Sequence, residues 1–152
     1  MILLSASPID PGRLIEEFRT SVPGAGALAS FVGYVRSEDG AVSSLELEHY
    51  PGFAEAQIAA FEAAAAERFG LLGILIVHRV GRILPQEPIV VVAAMARHRK
   101  EAIQAVDFVM DYLKTDAPLW KKETGPGGPR WIEPRAADRQ ARAGWNKENE
   151  TT

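Results

Sequence analysis

Cysteine is absent from these 152 residues. That excludes a thiol nucleophile, a thiolate metal site and any disulfide framework. Long apolar runs are also absent, and the longest fall well short of the ~20 residues needed to span a bilayer. Met1-Ile2-Leu3-Leu4 is too short for the apolar core of a secretory leader, and Asp10 and Arg13 follow soon after. A cytoplasmic protein with no membrane contact is therefore expected. Histidine is scarce: His49, His78 and His98 are the only three, and no two stand at helical i, i+4 spacing. No metal site is expected from them. Nor is there an excess of positive charge, since the net charge is −3. A nucleic-acid binder usually shows a strongly basic domain or stripe.

What is present suits one globular domain. The apolar fraction is 47% and the charged fraction 24%, ordinary values for a globular chain. At this length a fold buries roughly 68–70% of its unfolded surface. The charge is unevenly spread. Residues 1–96 hold 6 Lys/Arg against 11 Asp/Glu, whereas residues 97–152 hold 11 against 9. The second part therefore suits a small anionic ligand or the acidic terminus of a partner.

The pattern predicts an α+β domain over residues 1–145 and a polar, flexible tail over 146–152. Asp10-Pro11 reads as an N-cap with proline at the first helical position, and the helix runs to about Thr20. Residues 27–36 read as a buried strand ahead of a polar loop, Ser37-Glu38-Asp39-Gly40. Val42–Tyr50 alternates, with Leu45 and Leu47 on one face and Glu46 and Glu48 on the other. The alanine-rich stretch 53–69 is a helix. Strands at Ile74–Val80 and Ile89–Arg97 flank Leu84-Pro85-Gln86-Glu87-Pro88 and form an antiparallel hairpin. A helix over 100–115 precedes a second hairpin, Leu119–Thr124 with Arg130–Glu133, and a short helix follows over 136–145.

Gly24-Ala25-Gly26-Ala27-Leu28-Ala29 imitates a dinucleotide fingerprint, but that mechanism needs a strand before the glycines and a helix after them. Here the order is reversed, so no such cofactor is expected. His78-Arg79 lies inside a strand and reads as structural. His98-Arg99 falls where a strand gives way to a helix, a common place for anion-binding groups. Arg36 ends a strand, and Phe31 is a core residue by default.

The segment from Asp111 to Glu123 is richer. Lys114 closes a helix that Pro118 cannot continue, and Lys121 and Lys122 lie on the segment that turns back. Two ammonium groups from different elements can then meet one anion. Trp120 and Trp131 flank the segment, and an apolar wall lowers a lysine pKa by disfavouring its charged form. A lysine so placed can act as base or nucleophile. Glu123 shares the strand face of Lys121 and could orient it. Against this stands the plain reading: Lys114 complements the helix dipole, while Lys121 and Lys122 are solvated.

Several segments carry a resemblance, in order, over roughly residues 26–145. They are Phe31-x-Gly33-x-Val35-Arg36, Leu47-Glu48-His49-Tyr50-Pro51-Gly52, His78-Arg79-x-Gly81 and Ala96-Arg97-His98-Arg99. Met110-Asp111-Tyr112-Leu113-Lys114, Pro118-Leu119-Trp120-Lys121-Lys122-Glu123 and Trp131-Ile132-Glu133 follow. Together they resemble the large, catalytic subunit of molybdopterin synthase, the MoaE-type family. The resemblance implies an α/β hammerhead-type fold with an antiparallel sheet, packed helices and a small additional β subdomain. It also implies a sulfurtransferase of molybdenum cofactor biosynthesis. Sulfur would pass from the C-terminal Gly-Gly thiocarboxylate of a small ubiquitin-like carrier subunit to cyclic pyranopterin monophosphate, forming the dithiolene. A homodimer within a heterotetramer is implied, with no metal in this step.

By the same resemblance, Lys121 and Lys114 match the catalytic lysines. Arg36, His98 and Arg99 match basic residues that hold the substrate, partly across the dimer interface. Glu123 matches a carboxylate of that pocket and Phe31 a wall residue. Lys121 and Lys122 are counted with them among the substrate-binding residues, Lys122 being the one expected to tolerate change. The sequence departs from the family pattern at Leu84–Pro88, at Phe53 where methionine is common, and in the short loop at 37–41. Two other functions remain on the residues alone: a non-catalytic phosphate- or RNA-binding module, and a structural dimerisation domain.

Overall fold

The computed structural model describes residues 1–147. Eight strands and four helices follow one another along this stretch. They are β1 (Ile2–Ser5), α1 (Pro11–Ser21), β2 (Ala27–Tyr34), β3 (Ser44–His49), α2 (Phe53–Phe69) and β4 (Gly73–Arg79). Then come β5 (Gly81–Ile83), β6 (Pro88–Ala96), α3 (Arg99–Thr115), β7 (Leu119–Gly125), β8 (Gly128–Ile132) and α4 (Ala136–Lys147).

Two four-stranded sheets form, ordered β1-β4-β6-β2 and β5-β3-β7-β8. The first sheet is apolar on both faces because helices cover both. Ile74, Ile76, Val92 and Ala94 pack with Ile58, Phe108 and Val109 beneath α2 and α3. The alternate residues Leu75, Val77, Val91 and Ala93 pack against Phe18 of α1. Two-sided burial gives β4 and β6 near-continuous apolar runs instead of an alternating pattern. Asp10 caps α1 as expected, accepting a bond from the Arg13 amide at 3.1 Å.

The second sheet is the additional β subdomain. Its inner face holds Leu45, Leu47 and Ile83, with Val35 of the neighbouring loop packed on it. The chain reaches it at Gly81, whose φ of 79° lies in the left-handed region that glycine adopts without a Cβ penalty. The hairpin expected between 74–80 and 89–97 is present, with Ile76 opposite Val92. Its connection is more than a turn, because β5 within it leaves to pair with β3.

Two expectations need correction. The first sheet is not wholly antiparallel: β1, unrecognised in sequence, adds to β4 in parallel, Ile2 opposite Ile76. Four residues carry too short a pattern to announce a strand whose partner lies over seventy positions away. The helix expected over 136–145 runs on to Lys147, so Asn146 and Lys147 belong to α4; positions 148–152 of the expected tail lie outside the described residues. Helix α4 is held by buried Trp145, whose indole N–H donates to Asp111 at 2.7 Å, and by Arg142, 3.0 Å from Asp116.

Candidate active site

The last turn of α3 carries Lys114. The helix stops there because Asp116 and Ala117 both turn their amides back to the Tyr112 carbonyl, at 2.8 and 3.1 Å, and Pro118 follows. Strand β7 then runs between β3 and β8, which fixes Lys121 from both sides: it pairs with Leu47 on one neighbour and Ile132 on the other. Residues directly opposite in a ladder share a face. Lys121 therefore projects with Leu47 and Ile132 on the inner, apolar face. Lys122, expected among the substrate-binding residues, projects outward instead, where it pairs with Glu46 at 3.6 Å and lies over the Trp131 ring at 5.3 Å.

Lys121 and Lys114 open onto a common cavity of about 570 Å³, together with Arg36, Glu123 and Arg135. A side chamber of 160 Å³ adds Glu133 and Asp138 to the two lysines. A surface groove of 490 Å³ leads past Trp120 and Pro118 to Lys114. Burial pushes the Lys121 ammonium below the ordinary lysine pKa; the Lys114 charge adds to that fall and the Asp138 carboxylate opposes it. An amine so shifted holds a larger neutral fraction near neutral pH and gains basic or nucleophilic capacity. Glu123 faces the cavity while its carboxylate pairs with Arg130 at 3.2 Å. Arg36 stands at the rim, largely exposed, 3.5 Å from Glu38.

His78 lies beneath this site. Its Nδ1 is 2.8 Å from the Arg79 carbonyl, so the neutral ring donates there. Burial lowers its pKa to about 4, with the hydrogen bond opposing and the Lys121 charge assisting. The pair keeps the structural place that its strand position suggested, with His78 near enough to feel the Lys121 charge.

The structure does not bring every expected residue to the cavity within one chain. His98 caps α3 and Arg99 begins it, both exposed. Lys114 is fifteen positions further on, so about 22 Å of helix separates the two ends. Phe31 sits on the free edge of β2, 40% exposed, outside the cavity lining. Trp120 and Trp131, read as apolar walls for Lys121, alternate to the outer face: Trp120 pairs opposite Glu48 and Trp131 opposite Lys122. The walls are Leu45, Leu47, Leu119 and Ile132.

Sequence reasoning missed Arg135 and Asp138. Their signal was local: a proline at 134 and an acid in the first turn mark the start of α4. Another cavity, of 590 Å³, lies by α1 and α2, but its charged groups, the Met1 ammonium and Glu62, are paired with each other. Among the described residues no group of three or more His, Cys, Asp or Glu is placed to hold a metal ion. No described helix is long and apolar enough to cross a membrane.

The family described as MoaE protein matches residues 4–116. Over 148 residues the chain is 50% identical to the molybdopterin synthase catalytic subunit of Caulobacter vibrioides, covering 97% of this chain and 99% of that one. The chain belongs to the MoaE family. The catalytic subunit from Pseudomonas aeruginosa is 45% identical over 96% of this chain and 99% of its own length. Among solved structures, the MoaE protein from Burkholderia ambifaria superposes with a TM-score of 0.80, at 46% identity over 96% of this chain and 97% of that one. A Helicobacter pylori complex of subunits 1 and 2 of molybdopterin-converting factor shares the fold, with a TM-score of 0.76 at 20% identity, over 88% of this chain and 91% of that one. The α+β architecture expected from the sequence is thus that of the MoaE family. The function expected with it also holds: a sulfurtransferase, the catalytic subunit of molybdopterin synthase, in molybdenum cofactor biosynthesis. The family match ends before Lys121, whereas the likeness to the catalytic subunits runs on through the lysine strand and α4.

Proposed function

We propose that sulfur transfer takes place in the Lys114–Lys121 cavity. The donor is the C-terminal thiocarboxylate of a small ubiquitin-like carrier and the acceptor cyclic pyranopterin monophosphate. The observation that carries this assignment is Lys121: a half-buried amine with depressed basicity, facing a cavity beside a second lysine and two arginines. Phosphate and thiocarboxylate are both anions, and cationic donors bind them through charge-assisted hydrogen bonds.

The thiocarboxylate sulfur attacks a carbon of the pterin side chain, forming a C–S bond as a C–O bond at that carbon breaks, its oxygen leaving with the opened phosphate or as water, and the carrier stays attached as a thioester. Water then cleaves that thioester, releasing the carrier as a carboxylate and leaving sulfur on the pterin. Lys121 moves the protons that opening the cyclic phosphate and hydrolysing the thioester require. Lys114 stabilises the anion that develops on the acyl oxygen. Glu123, two positions along the same strand face, lines the cavity beside Lys121 while its carboxylate holds Arg130. Arg36 holds the phosphate at the rim.

The groove past Trp120 and Pro118 suits an extended Gly-Gly tail that ends at Lys114. His98 and Arg99 serve a cavity only from a second copy of the chain, since ~22 Å separates them from Lys114 within one. A homodimer with one carrier per subunit follows. The test is reconstitution with thiocarboxylated carrier and cyclic pyranopterin monophosphate. A stable complex and a dithiolene product are expected; the absence of both would contradict the reading.

A further inference from the structure

The cavity gathers Lys114, Lys121, Arg36 and Arg135 within one small volume. Like charges at such spacing repel unless something answers them. Four carboxylates border the two chambers, and three are either largely exposed or paired away from the lysines. Glu38 is 75% exposed beside Arg36, Glu133 is 86% exposed beside Arg139, and Glu123 pairs with Arg130. Asp138 differs. Its side chain is only 15% exposed, it borders the chamber that both lysines share, and its ion-pair partner Arg135 is itself part of the cavity wall.

We propose that Asp138 is a positioning residue for this site: its carboxylate fixes Arg135 at the cavity wall and supplies the negative charge that lets the two lysines share one chamber. One carboxylate oxygen accepts from the Arg135 amide at 3.2 Å and from its Nε at 3.4 Å. The helix start is itself anchored, because Trp145 and Arg142 tie α4 to the end of α3 that bears Lys114. Burial raises the Asp138 pKa, but both Arg135 hydrogen bonds and the charges of Lys114 and Arg135 bring it below the ordinary value. It therefore stays ionised where the lysines need it.

A helix-start acid has a simpler role, since accepting the Arg135 amide satisfies one of the free N–H groups there. That role explains the backbone bond. It does not require a sheltered carboxylate turned toward two lysines from other elements. The groups that face Lys121 are Lys114 on α3, Glu123 on its own strand, Arg36 and Glu38 after β2, His78 on β4, and Glu133, Arg135 and Asp138 about α4. Among them Asp138 is the one whose negative charge raises the Lys121 pKa.

This inference rests on the sulfur-transfer reading of the cavity, but its test needs no substrate. The rate of amine acylation at Lys121, followed by mass spectrometry against pH, gives a midpoint for that residue alone. Asp138→Asn keeps an acceptor for the Arg135 amide and removes the charge. Its midpoint should fall by about half a pH unit or more, and Asp138→Glu should restore it. An unchanged midpoint in a folded Asp138→Asn protein overturns the proposal, as does an equal fall in both variants. If Asp138→Asn fails to fold, the unmutated protein decides by carbon-13 NMR of its lysine ε-carbons. An inflection at Lys121 and Lys114 as Asp138 titrates supports the assignment, and its absence overturns it. Failure of sulfur transfer itself would leave these midpoints untouched.

Discussion

Lys121 stands directly opposite Leu47 in the pairing of β7 with β3, and Leu47 is only 2% exposed. A lysine thus occupies a position that the sheet treats as core. An amine taken out of water is destabilised in its charged form, so the strand register itself gives Lys121 its shifted pKa. The adjacent Lys122 is spared because side chains alternate along a strand. One step in register separates a candidate base from a surface charge.

Burying Lys121 carries a cost to folding. Its folded pKa lies below the unfolded one, so between the depressed value and 10.5 the unfolded chain binds more protons. Stability therefore rises with pH across that window. Lys121→Met should abolish this rise and leave the protein at least as stable as the parent at neutral pH, while sulfur transfer is lost. Thermal melting from pH 7 to 10 checks it, and a Met variant that melts lower throughout would contradict it.

His78 sets the acid limit. Its pKa of about 4 in the folded protein lies below the ordinary ~6.5. Within that window the unfolded state holds the extra proton, so stability falls as the pH drops from about 6.5 to 4. The loss is on the order of 3 kcal/mol for this one group. His78→Asn, whose amide can donate to the Arg79 carbonyl in place of Nδ1, should flatten that part of the melting profile. An equally steep acid loss would assign the sensitivity elsewhere.

Lys122 and Lys121 should separate cleanly on substitution. Lys122 is partly exposed, and its pairing with Glu46 is of a kind worth about 0–1 kcal/mol. Lys122→Ala should keep turnover within about threefold of the parent and stability within ~1 kcal/mol. Steady-state assay and denaturant unfolding read both. A collapse in turnover with unchanged stability would move Lys122 into the site.

Much of this was legible in the chain because its signals are local. Helix α2 spans 53–69 as read, the β7–β8 hairpin turns at the expected glycines, and Leu45 and Leu47 occupy the buried face that their alternation announced. What the chain could not announce depends on remote partners. β1 finds its place only against β4, and β5 leaves its hairpin to join a strand more than thirty residues away. Lys114, Lys121 and Glu123, marked by the helix break and the strand alternation, and Arg36 at its strand end meet at one cavity. Arg135 and Asp138 join them only because α4 folds back onto α3, a contact that no spacing encodes.

The most direct test of Lys121 as the group that moves protons in sulfur transfer is a single-turnover comparison of Lys121→Ala with the parent. Both would be loaded with thiocarboxylated carrier and cyclic pyranopterin monophosphate. The expected result is carrier binding within a few-fold of the parent and dithiolene formation slowed by about 10²–10⁴-fold, the scale of a lost general acid–base group. Full conversion at the parental rate would contradict the assignment.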